Sequence, residues 1–140
     1  LHQLARVEAS LAVRERHWQA YDAAFADLQE LVETPCRAGA NERHARHLYT
    51  VLLRTDRLTI DREQFMKALR AENIGTGVHF VPVHLHSYYR DRYGFGAGTF
   101  PIAEDIGART ISLPLSARVS DTDVEDVIAA VRKVVTHYVR

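Results

Sequence analysis

The chain has one cysteine, two lysines, four prolines and no net charge in 140 residues. Cys36, standing alone, excludes an internal disulfide and a cysteine metal cluster, and it suggests a reducing, cytoplasmic compartment. Eighteen basic residues balance eighteen acidic ones, so electrostatics gives no case for nucleic acid or an anionic membrane as partner. No apolar run reaches the roughly 18 residues of a membrane span. Lys67 and Lys133 both fall inside amphipathic helical patterns, where a solvated position is expected, and neither reads as a Schiff-base lysine. The first residues lack a signal-peptide pattern and an initiator Met, and they enter a helical pattern midway. A piece of something longer is therefore expected.

What is present is a composition of 46% hydrophobic and 26% charged residues, that of a globular domain able to bury a real core. Leu4, Val7, Leu11, Trp18, Tyr21, Phe25, Leu28 and Leu31 recur mostly at three- and four-residue steps, which predicts a long helical region over 1–32. Residues 33–43 read as loop. His47–Arg54, Gly77–Val81 and Thr110–Leu113 read as three short strands. Thr59 is the expected cap of a helix bearing Phe65, Met66 and Leu69; Phe100–Gly107 is a short helix. Ser120 with Asp123 resembles a capping box before a helix whose face is Val124, Val127, Ile128, Val131, Val134 and Val135. The predicted fold is a two-layer α/β (α+β) domain, a small three-stranded sheet covered by helices.

Chemistry concentrates in Gly75–Tyr89. His79, His84 and His86 fall within eight residues, Pro82 fixes the path between the first two, and Tyr88 and Tyr89 follow. Imidazoles at this spacing invite a metal reading. A closed site needs three or four convergent ligands, however. Pro82 interrupts any continuous strand, and Asp91 is the only carboxylate close in sequence, so no metal site is expected. A hydrogen-bonded surface or strand-end role is the plain alternative for each histidine, as for His2, His17 and His137. Cys36 beside Arg37 carries no further sign of a nucleophile. Gly94–Gly98 has the glycine spacing of a phosphate cradle, but neither the preceding strand nor a following lysine.

Several segments together resemble one family. They are Phe65–His84 with its Gly-Thr-Gly-Val-His-Phe core, Tyr88–Arg92, His44–Tyr49, Ile111–Leu115 and Asp121–Ile128. They look like the C-terminal segment of the DegT/DnrJ/StrS sugar aminotransferases, nearest to members that make UDP-4-amino-4-deoxy-L-arabinose. The resemblance implies the small C-terminal domain of an aspartate-aminotransferase (fold type I) architecture over 33–140, preceded by an interdomain helix over 1–32. It implies a homodimeric parent that uses PLP and moves an amino group from glutamate to a nucleotide-linked keto sugar. The family's PLP lysine cannot be mapped onto this chain, so no catalytic or cofactor-binding residue is assigned and no PLP is expected here. The family's Pro-Leu-His motif matches Pro82-Val83-His84, which makes His84 a substrate contact; His79, Tyr88 and Tyr89 are its expected neighbours. His86 has no counterpart. The alternative is a stand-alone, non-catalytic binding or oligomerisation domain derived from that family.

Overall fold

Two runs of β-branched and aromatic residues form the sheet's main ladder. In the computed structural model, which describes residues 2–140, β2 (Tyr49–Leu53) pairs antiparallel with β3 (Thr110–Leu113). The register sets Tyr49 opposite Leu113 and Val51 opposite Ile111. Since side chains alternate along a strand, these four share one face, and all are buried. Thr50 and Leu52 point the other way and are half-buried.

The third strand is not the expected one. β1 is the two-residue Val32–Glu33, paired antiparallel with Leu53 and Leu52, and the order is β1-β2-β3. The predicted Gly77–Val81 strand shrinks to one antiparallel bridge, Gly77 with Ser112 on the free edge of β3. Pro82 and the exposed Phe80 and Val81 leave that segment little reason to continue the ladder.

The helical stretch predicted over 1–32 is also shorter. A 3-10 turn (Leu4–Arg6) leads into α1 (Val7–Ala24), about 27 Å long at 1.5 Å per residue. The helix stops at Phe25, whose φ of −105° and ψ of 7° leave helical geometry. A second 3-10 turn (Ala26–Leu28) then carries Val32 to the sheet edge. Phe25, Leu28 and Val32 all take core positions. Trp18, Tyr21 and Phe25 ring Tyr49, with centroids at 4.8, 4.9 and 6.4 Å.

α2 (Arg62–Ala71) is capped by Asp61 rather than Thr59. Asp61 accepts from the Gln64 N–H while the Gln64 side chain accepts from the Asp61 N–H, a complete capping box. Thr59 instead ties to the C-terminus, donating to the Tyr138 carbonyl through both its N–H and its hydroxyl. α3 (Ser87–Tyr93) and α4 (Pro101–Arg109) follow, and α5 (Asp121–His137) closes the chain. α5 has the expected Ser120–Asp123 capping box and buries Val124, Val127, Val131, Val134 and Val135; Ile128 is half-buried. Asp121 accepts from Arg16 and meets His17 Nε2 at 3.0 Å, joining α1 to α5. The Arg16 guanidinium first, then His17, holds its carboxyl below the usual carboxylate range.

α4 is fastened at its C-terminal end. Arg109 Nη1 donates to Glu33 at 2.8 Å and to the Leu53 carbonyl at 3.2 Å, while Nη2 pairs with Asp105. Gly107 presses against Pro82: a Cβ there would lie 2.7 Å from Pro82 Cγ and 2.9 Å from Cδ. Arg62 donates to the Gly107 carbonyl from α2.

Two stability outcomes follow from this packing. Phe65→Ala, at a site 1% exposed, should cost about 3–5 kcal/mol in urea unfolding, against about 1 kcal/mol for removing the α5 cap by Ser120→Ala. Gly107→Ala should cost about 1–3 kcal/mol, because both contact partners are ring atoms of a proline with nowhere to swing. A neutral Gly107→Ala would show that α4 is not seated on Pro82.

Candidate active-site face

His84 lies in a 3-10 turn (Val83–Leu85) entered from Pro82, and its side chain is buried at 7% exposure. Pro82 holds φ at −48°, and His86 on the other side is extended, so the turn is short and bounded. Nε2 lies 2.9 Å from Glu104 Oε1 in the first turn of α4. Glu104 is the carboxylate that sequence proximity did not reveal. Twenty residues separate it from His84, and only the seating of α4 on Pro82 brings the two together.

Glu104 is itself held. The Gly98 N–H donates to both oxygens, at 2.9 and 3.0 Å, and the Phe100 N–H donates to Oε1 at 3.3 Å. The Gly98 bond first, then the His84 contact and the Phe100 bond, keep the carboxyl below its ordinary range. Gly98 has φ of +88°, a left-handed conformation that favours glycine. The Gly94–Gly98 loop therefore turns its amide onto a protein carboxylate.

Aromatic rings extend from the histidine. Phe100 stands edge-on to His84 with centroids 4.9 Å apart. Phe95 meets Phe100 at 5.4 Å, Tyr93 stacks on Phe95 at 5.6 Å, and Tyr89 stacks on Tyr93 at 6.1 Å. Tyr88 ends the row, at 5.3 Å from Tyr89. Every residue of α3 is exposed, so Tyr88 and Tyr89 present their rings and hydroxyls to solvent. Phe80 (87% exposed) and Ile102 (76%) add apolar surface from the segment before His84 and from α4.

The other histidines go elsewhere. His79 Nε2 meets Ser112 Oγ at 2.6 Å and so leans on β3; His86 meets the Val81 carbonyl at 3.3 Å. The three imidazoles thus have three separate partners, and among the described residues no three His, Cys, Asp or Glu side chains gather as a metal site would require. Asp91, the nearest carboxylate in sequence, lies exposed on α3.

Both lysines are solvent-facing ammonium groups. Lys67 Nζ is 2.8 Å from Glu63, which holds its pKa above the ordinary lysine value. Lys133 Nζ is 2.8 Å from both Glu72 oxygens. Cys36 is exposed, and its neighbour Arg37 turns to Asp22 at 3.8 Å. Among the described residues no helix is long and apolar enough to cross a membrane.

Against this geometry, similarity to known proteins is informative. The chain is 42% identical over 136 residues to the spore coat polysaccharide biosynthesis protein SpsC of Bacillus subtilis, covering 96% of this chain and 34% of SpsC. It is 41% identical over 136 residues to an uncharacterized protein, MJ1066, of Methanocaldococcus jannaschii, covering 97% of this chain and 35% of that one. The fold matches a putative sugar aminotransferase of Streptococcus pneumoniae, Spr1654, solved in its PLP form. The TM-score is 0.86 at 26% identity, over 98% of this chain and 34% of that one. The chain thus spans about a third of the length of the relatives it matches. The model of the DegT/DnrJ/EryC1/StrS aminotransferase family matches residues 1–132, and the chain belongs to that family.

Proposed function

We propose that the chain is the small, substrate-side domain of a PLP-dependent sugar aminotransferase, acting in the cytoplasm as part of a homodimer. The reaction moves an amino group from glutamate to a nucleotide-linked keto sugar. The observation that carries this reading is the family match over residues 1–132. SpsC, named for spore coat polysaccharide biosynthesis, supports a cell-surface sugar as the product class. The resemblance of Gly75–Phe80 supports the 4-amino-4-deoxy-L-arabinose nucleotide as the finer assignment.

His84, His79, Tyr88 and Tyr89 are the proposed substrate contacts. His84 offers an imidazole on a turn fixed by Pro82, with one nitrogen held by Glu104 and the other free for a ligand. The Tyr88 and Tyr89 rings can face a sugar with their planes and reach its polar edge with their hydroxyls. His79 contributes more indirectly, by holding the segment before Pro82 to Ser112 on β3.

PLP, when bound, supplies the electron sink that lets an amino group leave one substrate and join another. The residues of this chain do not fit that group. A cofactor lysine needs a desolvated, readily neutral amine, and Lys67 and Lys133 are exposed ammonium groups each paired with a glutamate. The cofactor therefore belongs to the remainder of a longer protein, for which residues 1–32 serve as the connecting helix region. Within that arrangement this domain binds and orients the sugar and excludes water on closing.

The full-length protein should show a visible PLP absorbance band and transfer the amino group of glutamate to keto sugar nucleotides. His84→Ala should lower kcat/KM by about tenfold to a hundredfold, the value of a hydrogen bond to a polar or charged substrate group. Absence of both band and transfer would overturn the enzyme reading in favour of a stand-alone binding domain. An unchanged kcat/KM in His84→Ala would remove His84 from the site.

A further inference from the structure

We infer that Glu104 is a positioning residue: it holds the His84 ring in the Nε2–H tautomer and so presents an unprotonated Nδ1 to the substrate. The inference rests on the proposed role of His84 and goes beyond it to the proton on the ring and the chemistry it selects.

The argument starts from what a carboxylate can do. Ionised, it only accepts hydrogen bonds, so the nitrogen facing it must carry a proton. Nε2 of His84 is 2.9 Å from Glu104 Oε1, ordinary hydrogen-bond geometry. Glu104 has every reason to remain ionised. It accepts two bonds from the Gly98 N–H and one from the Phe100 N–H, and it lies in the first turn of α4, where the helix dipole favours negative charge. These contacts hold its carboxyl below the usual range.

With Nε2–H committed, neutral His84 has Nδ1 as a lone-pair acceptor. That atom has no hydrogen-bond partner among the described residues, yet it is not sealed from solvent; Nδ1 of His17, by contrast, is buried and unpartnered. Phe100, edge-on at 4.9 Å, restricts rotation of the ring out of this plane. The ligand group selected is a donor, such as a sugar hydroxyl or an amine. A bare phosphate oxygen would meet lone pair against lone pair unless the ring took up a second proton. The same logic is familiar from metal and triad histidines, where a partner on one nitrogen sets the state of the other.

The rival role for Glu104 is structural: it ties the Gly94–Gly98 loop to α4 whether or not His84 is present. A double-mutant cycle in the full-length protein separates the two. Glu104→Ala should lower kcat/KM about tenfold in the wild-type background and by less than about twofold when His84 is already alanine, because a residue acting through His84 has nothing left to act on. Glu104→Gln, whose amide oxygen can still accept from Gly98 and His84, should recover most of the loss. Equal losses in both backgrounds would overturn the proposal and leave Glu104 a loop anchor. Histidine-selective 15N NMR of the wild type gives a readout independent of turnover. A protonated Nε2 and an unprotonated Nδ1 on His84, with the Nε2–H protected from exchange in wild type and Glu104→Gln but not in Glu104→Ala, support it. A proton on Nδ1 would overturn it even if no variant folds and no substrate is found.

Discussion

The antiparallel ladder between Tyr49–Leu52 and Thr110–Leu113 is the constraint on which the rest of this domain depends. It fixes the face on which Tyr49, Val51, Ile111 and Leu113 meet the aromatic residues of α1 and the valines of α5. It also fixes everything that precedes β3. α4 ends at Arg109 and β3 begins at Thr110, so the register that buries Ile111 decides where α4 stops. Arg109 then reaches Glu33 and the Leu53 carbonyl, locking the helix end to the opposite edge strand. A slip of one residue would exchange the buried and half-buried faces of β2 and carry α4 with them.

The position of His84 is a consequence of that placement. Pro82 meets α4 at Gly107, where no larger residue fits, and two residues later His84 meets Glu104 one helical turn nearer the start of α4. The free edge of β3 provides the second anchor, through the Gly77–Ser112 bridge and the His79–Ser112 contact. The segment from Gly77 to His86 is thus irregular in backbone but pinned at the sheet, at Gly107 and at Glu104. A histidine held at three separated points in this way loses little conformational freedom on meeting a ligand, and that is how a site gains affinity without new contacts.

Much of this was legible in the sequence where the deciding interactions are local. Ser120 and Asp123 stand three apart before a valine-rich helix, and both sides of the capping box are read from adjacent residues. Thr110–Leu113 is β-branched and bounded, and it is a strand. Thr59 and Asp61 are both good cap residues; what separates them is the residue three positions on. From Thr59 that residue is Arg62, which cannot accept from a backbone N–H; from Asp61 it is Gln64, which does. The end of α1 was not legible, because Phe25, Leu28 and Leu31 continue the helical spacing. The break comes from Val32 finding Leu53 across the sheet, a partner distant in sequence. Glu104 was hidden for the same reason. Without α4 packed on Pro82, a glutamate twenty residues from His84 is one acidic helix residue among many, and the histidine stretch looks poor in carboxylates.

The aromatic row from Tyr88 to Phe100 sharpens what kind of site this face can form. All of α3 is exposed, with Arg90, Asp91 and Arg92 among its tyrosines, and Phe80 and Ile102 are exposed before His84 and on α4, so the surface beside His84 mixes aromatic and aliphatic side chains with charge. Such a surface can orient a ring and exclude water, and Arg90 and Arg92, exposed on α3, add positive charge beside the aromatic row, whereas the lysines are on α2 and α5, paired to glutamates. Apolar patches of this kind are commonly covered by a partner surface. The geometry and the chain's coverage of a third of its relatives' length agree in one respect. The face supplies a fixed histidine, aromatic planes and two arginines, while both lysines lie on other helices, and about two thirds of each relative's length lies beyond the matched part.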